Sequence, residues 1–239
     1  MSLGIFCFLA ICILVAAFVQ SIIGVGFALI VVPMVAFLQP ALLPVFAIVL
    51  VMPLNVYVLW RERHSLDWSG ASWITAGRAV GTFGGLAVLA TFTRTQLNLF
   101  IGVATLAAAI LTLMRPKFDP NRVSFIGAGV VTGITETATG IGGPPLALVY
   151  QHQPGPVLRA TLAACFLIGE VFTLTILAAT HRIDMDHVIA AIWLFPPIAV
   201  GVWLSKALHQ RLAGAWLRYA VLAFAMASGL FLIYQGLRA

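Results

Sequence analysis

"GITETATGIGGPP", residues 133–145, puts a glutamate, three threonines and a run of glycines and prolines into a chain where almost any window of about 20 residues is apolar enough to enter lipid. In hydrocarbon an unpaired backbone group costs several kcal/mol, so a non-helical stretch survives only where protein or a wet cavity covers it. Residues 135–145 must therefore be buried in a bundle or line a solute path.

The surrounding chain has 239 residues, 62% of them hydrophobic and 8% charged. Soluble domains are nearer a quarter charged, so this composition belongs to an integral membrane protein. Solid apolar runs indicate helices, because barrel strands alternate polarity over about ten residues. The fold class is all-α: a polytopic helical membrane protein with no soluble domain left over. Lys and Arg total 13 against 7 acids, and most of the basic residues lie in short links. That is a membrane-orientation signal and gives no support to nucleic acid as a partner. The N-terminal run has neither a basic n-region nor a cleavage-like end and reads as a retained membrane segment. Cys7, Cys12 and Cys165 lie in apolar runs without metal spacing and read as small hydrophobes. The histidines fall in links, so no metal or cofactor is expected.

Apolar segments fall at about 3–38, 41–60, 71–92, 96–114, 123–151, 157–180, 188–206 and 215–236. The first and fifth are about 30 to 36 residues long, well beyond one crossing, and each is interrupted by glycines. They also resemble each other: "GVGFALIVVP" starts at Gly24 and "GIGGPPLALV" at Gly140, an offset of 140 − 24 = 116. Two repeats follow, residues 1–118 and 119–239, forming one integrated membrane domain. Interrupted segments in corresponding positions of two halves point to a transporter binding site.

If each broken segment crosses once, eight spans result and the basic residues of links and tail divide about seven to four. If each enters and returns, the halves are inverted. Arg61, Arg63, Arg115, Lys117, Arg122, Arg159, Lys206 and Arg211 then share one side, against Arg94, Arg182 and Arg238 opposite. The inverted arrangement, with both termini outside, fits the positive-inside rule better.

Gly140, Gly142 and Gly143 let backbone approach a ligand, and Pro144 and Pro145 suit the first turn of a restarting helix. Such a helix start offers free N–H groups and partial positive charge, which makes it an anion site. Thr135, Thr137 and Thr139 are candidate hydroxyl donors beside Glu136, and Gln20, Ser21, Gly24 and Gly26 occupy the matching break of the first half. "GRAVG" (77–81) and "GVVTG" (129–133) read instead as helix-packing motifs. Arg78 lies about a third of the way into its span, where a charge costs about 2.5 to 3.5 kcal/mol on insertion scales. It is a counter-charge for an anion, a partner of Glu136 or Glu170, or a side chain snorkelling to the interface. Glu170 is a candidate proton carrier or a structural partner, and Asn55 is its counterpart in the first half.

The Gly-x-Gly break followed by apolar residues and Pro33, repeated half a chain later within "GITETATGIGGPP", resembles the TauE/SafE family of membrane permeases, the sulfite-exporter-like proteins. The resemblance covers essentially the whole chain. Phe27 and Ala28 stand where the family commonly has glycines, Pro144 stands for a glycine and Val149 for a proline. The resemblance implies transport of small sulfur-containing anions such as sulfite or organosulfonates across the bacterial inner membrane, commonly outward. The expectation is a secondary transporter working by alternating access, with possible proton coupling. No P-loop is present. An anion channel is the alternative; an intramembrane enzyme is less well supported, since the chain has no HExxH and no GxSxG. Nothing in the residues fixes the oligomeric state.

Overall fold

The structure is a computed structural model. It describes residues 3–114, 120–212 and 215–238, the side chains of 208–212 and 215–218 excepted. Among the described residues there is no strand. The helices are α1 (Leu3–Ile23), α2 (Phe27–Leu38), α3 (Val45–Glu62), α4 (Trp68–Thr91), α5 (Arg94–Met114), α6 (Arg122–Thr139), α7 (Gly143–Tyr150), α8 (Gly155–Ala179), α9 (Met185–Trp193), α10 (Phe195–Leu212) and α11 (Ala215–Arg238). Among the described residues, seven stretches are long and apolar enough to cross a membrane: α1, α3, α4, α5, α8, α9 with α10, and α11. The all-α, multi-pass reading holds. The expected junction at 118/119 falls within 115–119, outside the described residues.

Side-chain caps start several helices. Asp67 accepts from the Gly70 N–H at 3.1 Å, and Asn121 and Ser124 form a reciprocal capping box at the start of α6. One expected span differs from the sequence reading: 188–206 is two helices, broken at Leu194. Pro196 and Pro197 supply no N–H to the carbonyls of Ile192 and Trp193, so the α9 ladder cannot run on into α10.

α4 and α6 pack backbone to backbone. A Cβ on Gly77, Gly81 or Gly85 would collide with the carbonyls of Ile126, Val130 or Ile134, and one on Gly129 or Gly133 would collide with those of Ile74 or Arg78. Small residues are what permit this approach, as the packing reading of both motifs requires. α1 packs on α10, α3 on α8 and α5 on α11. In the last pair Gly102 and Gly229 each lie against the other's carbonyl.

Both broken segments double back. Thr132 donates to the Gly142 carbonyl at 3.2 Å, whereas ten residues of straight helix would separate them by about 15 Å. Phe125, near the start of α6, stacks on Tyr150, the last residue of α7, with ring centroids 5.6 Å apart. In the first half Gly4, Ile5 and Phe8 of α1 line one apolar groove together with Met34, Phe37 and Leu38 of α2. The ends of each segment therefore meet at one end of the bundle, and its glycine turn points inward.

Candidate functional site

The two turns are built on backbone that only glycine adopts freely. Gly24, Gly26 and Gly140 have φ of 94°, 127° and 85°. One turn before each break, a side-chain oxygen reaches forward to the helix that follows. Gln20 Oε1 accepts from the Phe27 N–H at 3.0 Å. The Glu136 carboxylate lies against Gly142, where a Cβ would collide with Oε2. Gln20 and Glu136 are each seven residues before the first residue of the following helix (27 − 20 and 143 − 136).

This arrangement corrects the expectation of freely offered helix starts. Gln20 takes the Phe27 N–H at the start of α2, the Glu136 carboxylate lies beside the α7 N-cap Gly142, and Pro144 and Pro145 have no N–H to offer.

A buried polar chain joins the two halves. Gln20 Nε2 donates to Asn55 Oδ1 at 3.2 Å, and Asn55 Nδ2 donates to Glu170 Oε1 at 2.7 Å. Beside it, Arg78 Nη2 pairs with Glu136 Oε2 at 2.6 Å and Nη1 donates to the Cys165 carbonyl at 2.7 Å. Arg78 is 1% exposed, so it does not snorkel. Of the open alternatives it takes Glu136 as partner, and Glu170 is held by Asn55. The guanidinium stacks over Phe166, 5.8 Å from the ring centroid, and fills the space a side chain at Gly169 would need. Two polar atoms here, Arg78 Nε and Glu170 Oε2, are buried without a hydrogen-bond partner. Such atoms call for an explanation, and an ordered water or ion beside them is one of the common ones.

Gln20, Asn55, Glu136 and Glu170 surround a cavity of about 30 Å³, with Gly26, Phe166, Gly140, Gly142 and Gly143 also on its wall. A single water needs about 10–15 Å³, so an oxyanion of four or more heavy atoms requires Phe166 or a turn to move aside.

Arg78 is not on the cavity wall but contacts two residues that are, Glu136 and Phe166, and the remaining expected site residues do not line the cavity either. Thr135 donates to the Val131 carbonyl, Thr139 to that of Thr135, and Thr137 bonds Thr173 of α8 at 3.2 Å. Ser21 is buried with its hydroxyl unpaired, and Gly24 faces Arg159 rather than the cavity. Of the cysteines only Cys165 is buried; Cys7 is exposed on the bundle surface. Sequence reading missed Phe166 and Gly169. The one signal for Gly169 was its place beside Glu170, where a larger residue would exclude Arg78.

Electrostatically the site holds one guanidinium and two carboxylates, formally −1 when all are ionised.

A family model described as sulfite exporter TauE/SafE matches residues 9–232, nearly the whole chain. The chain belongs to the TauE/SafE family. TauE/SafE proteins are membrane transporters and not enzymes, so this chain is a multi-pass membrane transporter. No curated protein and no solved structure matches it.

Proposed function

We propose that the chain is a secondary transporter exporting a small sulfur-containing oxyanion, sulfite or an organosulfonate, across the bacterial inner membrane. The anion is held between the two glycine turns, and access alternates between the two ends of the bundle. The observation that carries this reading is the shared cavity, to which each half contributes one glycine turn and two polar helix residues, Gln20 and Asn55 from the first and Glu136 and Glu170 from the second. Gln20 and Glu136 are 116 residues apart, and Asn55 and Glu170 are 115 apart (170 − 55), the same offset as the glycine motifs to within one residue. Opposed packing of two such halves supports inverted repeats, the usual basis of alternating access.

Proton coupling follows from the charge count. Arg78 and Glu136 neutralise each other, which leaves Glu170 as the carboxylate an arriving anion meets across Asn55 and Gln20. Like charges this close repel strongly in a poorly solvated site. Uptake of a proton by Glu170 together with the anion removes the repulsion, so the two travel in the same direction. With a doubly charged anion, the anion and its proton together move one net negative charge, and a membrane negative inside drives that charge outward by about 2.3 kcal/mol per 100 mV. A channel fits less well, because the cavity is small and hemmed in by side chains from both halves.

The test is efflux from proteoliposomes loaded with sulfite or with methanesulfonate, whose single charge does not change with pH. Wild type is expected to give saturable flux of at least one of them that rises as the loaded side is acidified. Glu170→Gln, permanently neutral, should transport with that pH dependence removed. Flux in wild type that ignores pH would eliminate Glu170 as the proton site; no flux of either anion from folded protein would eliminate the substrate class.

A further inference from the structure

At one end of the bundle, three cations from three separate helices face one carboxylate. Arg61 at the end of α3, Arg159 in the first turns of α8 and Lys206 of α10 surround Glu62, and with Ser205 they line a cavity of about 310 Å³. Glu62 accepts from Arg159 Nε with both oxygens, at 3.0 and 2.9 Å, and from Arg61 Nη2 at 2.6 Å. These three side chains are only 12 to 29% exposed. Arg61 and Lys206 also bracket one aromatic face, 5.4 and 5.1 Å from the Tyr57 ring centroid. The two largely covered arginines and the exposed Lys206 against one carboxylate leave a net +2 around a concave site, which concentrates anions.

The cluster lies directly on the first glycine turn. The Arg159 stem presses on Gly24, where a Cβ would come within 2.6 Å of Cγ. Arg61 Nη2 reaches the Ser21 carbonyl at the end of α1 at 3.5 Å. Ser21 itself is 1% exposed, its hydroxyl has no partner, and the residue before it, Gln20, lines the central cavity. Two arginines thus hold the turn, and one carboxylate holds the arginines.

We propose that this cluster is a second anion site, a vestibule that receives the oxyanion before the central cavity and whose Glu62 bridges form the gate at that end of the bundle. The proposal rests on the transport reading above. An oxyanion entering the vestibule offers the guanidiniums the same acceptor geometry as Glu62 and competes for them. As Arg159 turns to the anion, its stem comes off Gly24 and the turn is free to shift, which opens the way past Ser21. Glu62 therefore acts as a resident stand-in for substrate, keeping the turn pinned until an anion replaces it.

Two measurements test this, one of them independent of substrate identity. In protein with Cys7, Cys12 and Cys165 replaced by alanine, Ser21→Cys is labelled with N-ethylmaleimide, a neutral reagent. Labelling is expected to be slow with Glu62 intact and at least tenfold faster with Glu62→Gln; equal rates overturn the gate. In the flux assay, Lys206→Gln is expected to raise the KM for sulfite severalfold at low salt, an effect that high salt removes and Lys206→Arg avoids. An unchanged KM overturns the vestibule. Faster labelling in Glu62→Gln, from protein that moves neither sulfite nor methanesulfonate, upholds the gate and overturns the proposed substrate instead.

Discussion

Arg78 and Glu136 stabilise the bundle only as a pair. Desolvating two ions costs about as much as their attraction returns, but removing one partner strands a buried charge at about 3–5 kcal/mol. Arg78→Met alone should therefore lower the detergent-solubilised unfolding midpoint by roughly 10 °C, and Glu136→Gln alone should lower it less, because a neutral amide still accepts from Arg78. The double variant should recover a good part of the Arg78→Met loss, since the two residues share one network. Strictly additive losses in thermal unfolding would mean that the contact is energetically idle. At this scale the sequence is candid about composition and silent about partnership. Gln20, Asn55, Arg78, Glu136 and Glu170 stand out because lipid tolerates few polar groups, but which of them touch depends on how two hairpins pass each other. The threonines are governed by a simpler rule. Residues 135–139 are helical, and positions one or two apart in a helix point in different directions, so Thr135, Thr137 and Thr139 cannot all face the solute beside Glu136.

Three of the four glycines in helix α6 and at its end, Gly127, Gly133 and Gly140, have three different jobs, and the contrast can be measured. Gly127 has open space for at least 4 Å around the place a Cβ would take and sits mid-helix on the bundle surface, so Gly127→Ala should stabilise by about 0.5–1 kcal/mol. Gly133→Ala would press a methyl into the Arg78 carbonyl and force α4 away from α6. Because Arg78 rides on α4, that displacement should cut transport at least tenfold while leaving the protein folded. Gly140, just beyond the last residue of α6, needs φ of 85°, which costs an ordinary residue about 1–2 kcal/mol, and its Cβ would also meet Ala47 at 3.0 Å. Its alanine variant should be the least stable of the three. Expression level, thermal unfolding and flux, measured on the three variants side by side, check this ranking; a Gly127→Ala protein as impaired as Gly133→Ala would contradict it. The breaks themselves were legible, since glycine and proline act through local geometry. The kink at Leu194 was legible too, in "FPP", but apolar residues on both sides hid it within a run that reads as one span.

At the scale of the molecule, two topologies that hydropathy alone leaves equal make different demands on where the links lie. Glu62 and Arg159 are bonded, so the α3–α4 link and the start of α8 share one end of the bundle. Arg182 Nη1 donates to the Leu89 carbonyl at 3.1 Å, which brings the α8–α9 link to the end of α4 near the other end. An eight-span chain of parallel halves needs Glu62 and Arg159 on opposite sides of the membrane, whereas inverted halves need them together. The difference is visible to a reagent that cannot cross a membrane. In cysteine-free protein, His64→Cys and His152→Cys should be labelled by an impermeant maleimide only after cells are opened, because the basic links that flank them are retained inside. Thr93→Cys and His181→Cys should be labelled in intact cells. Labelling that splits His64 from His152 would restore the parallel arrangement and separate the vestibule from the face where substrate enters. Agreement between the two would mean that the glycine turns approach from opposite faces, so that loosening one while the other stays pinned is enough to alternate access to the carboxylates between them.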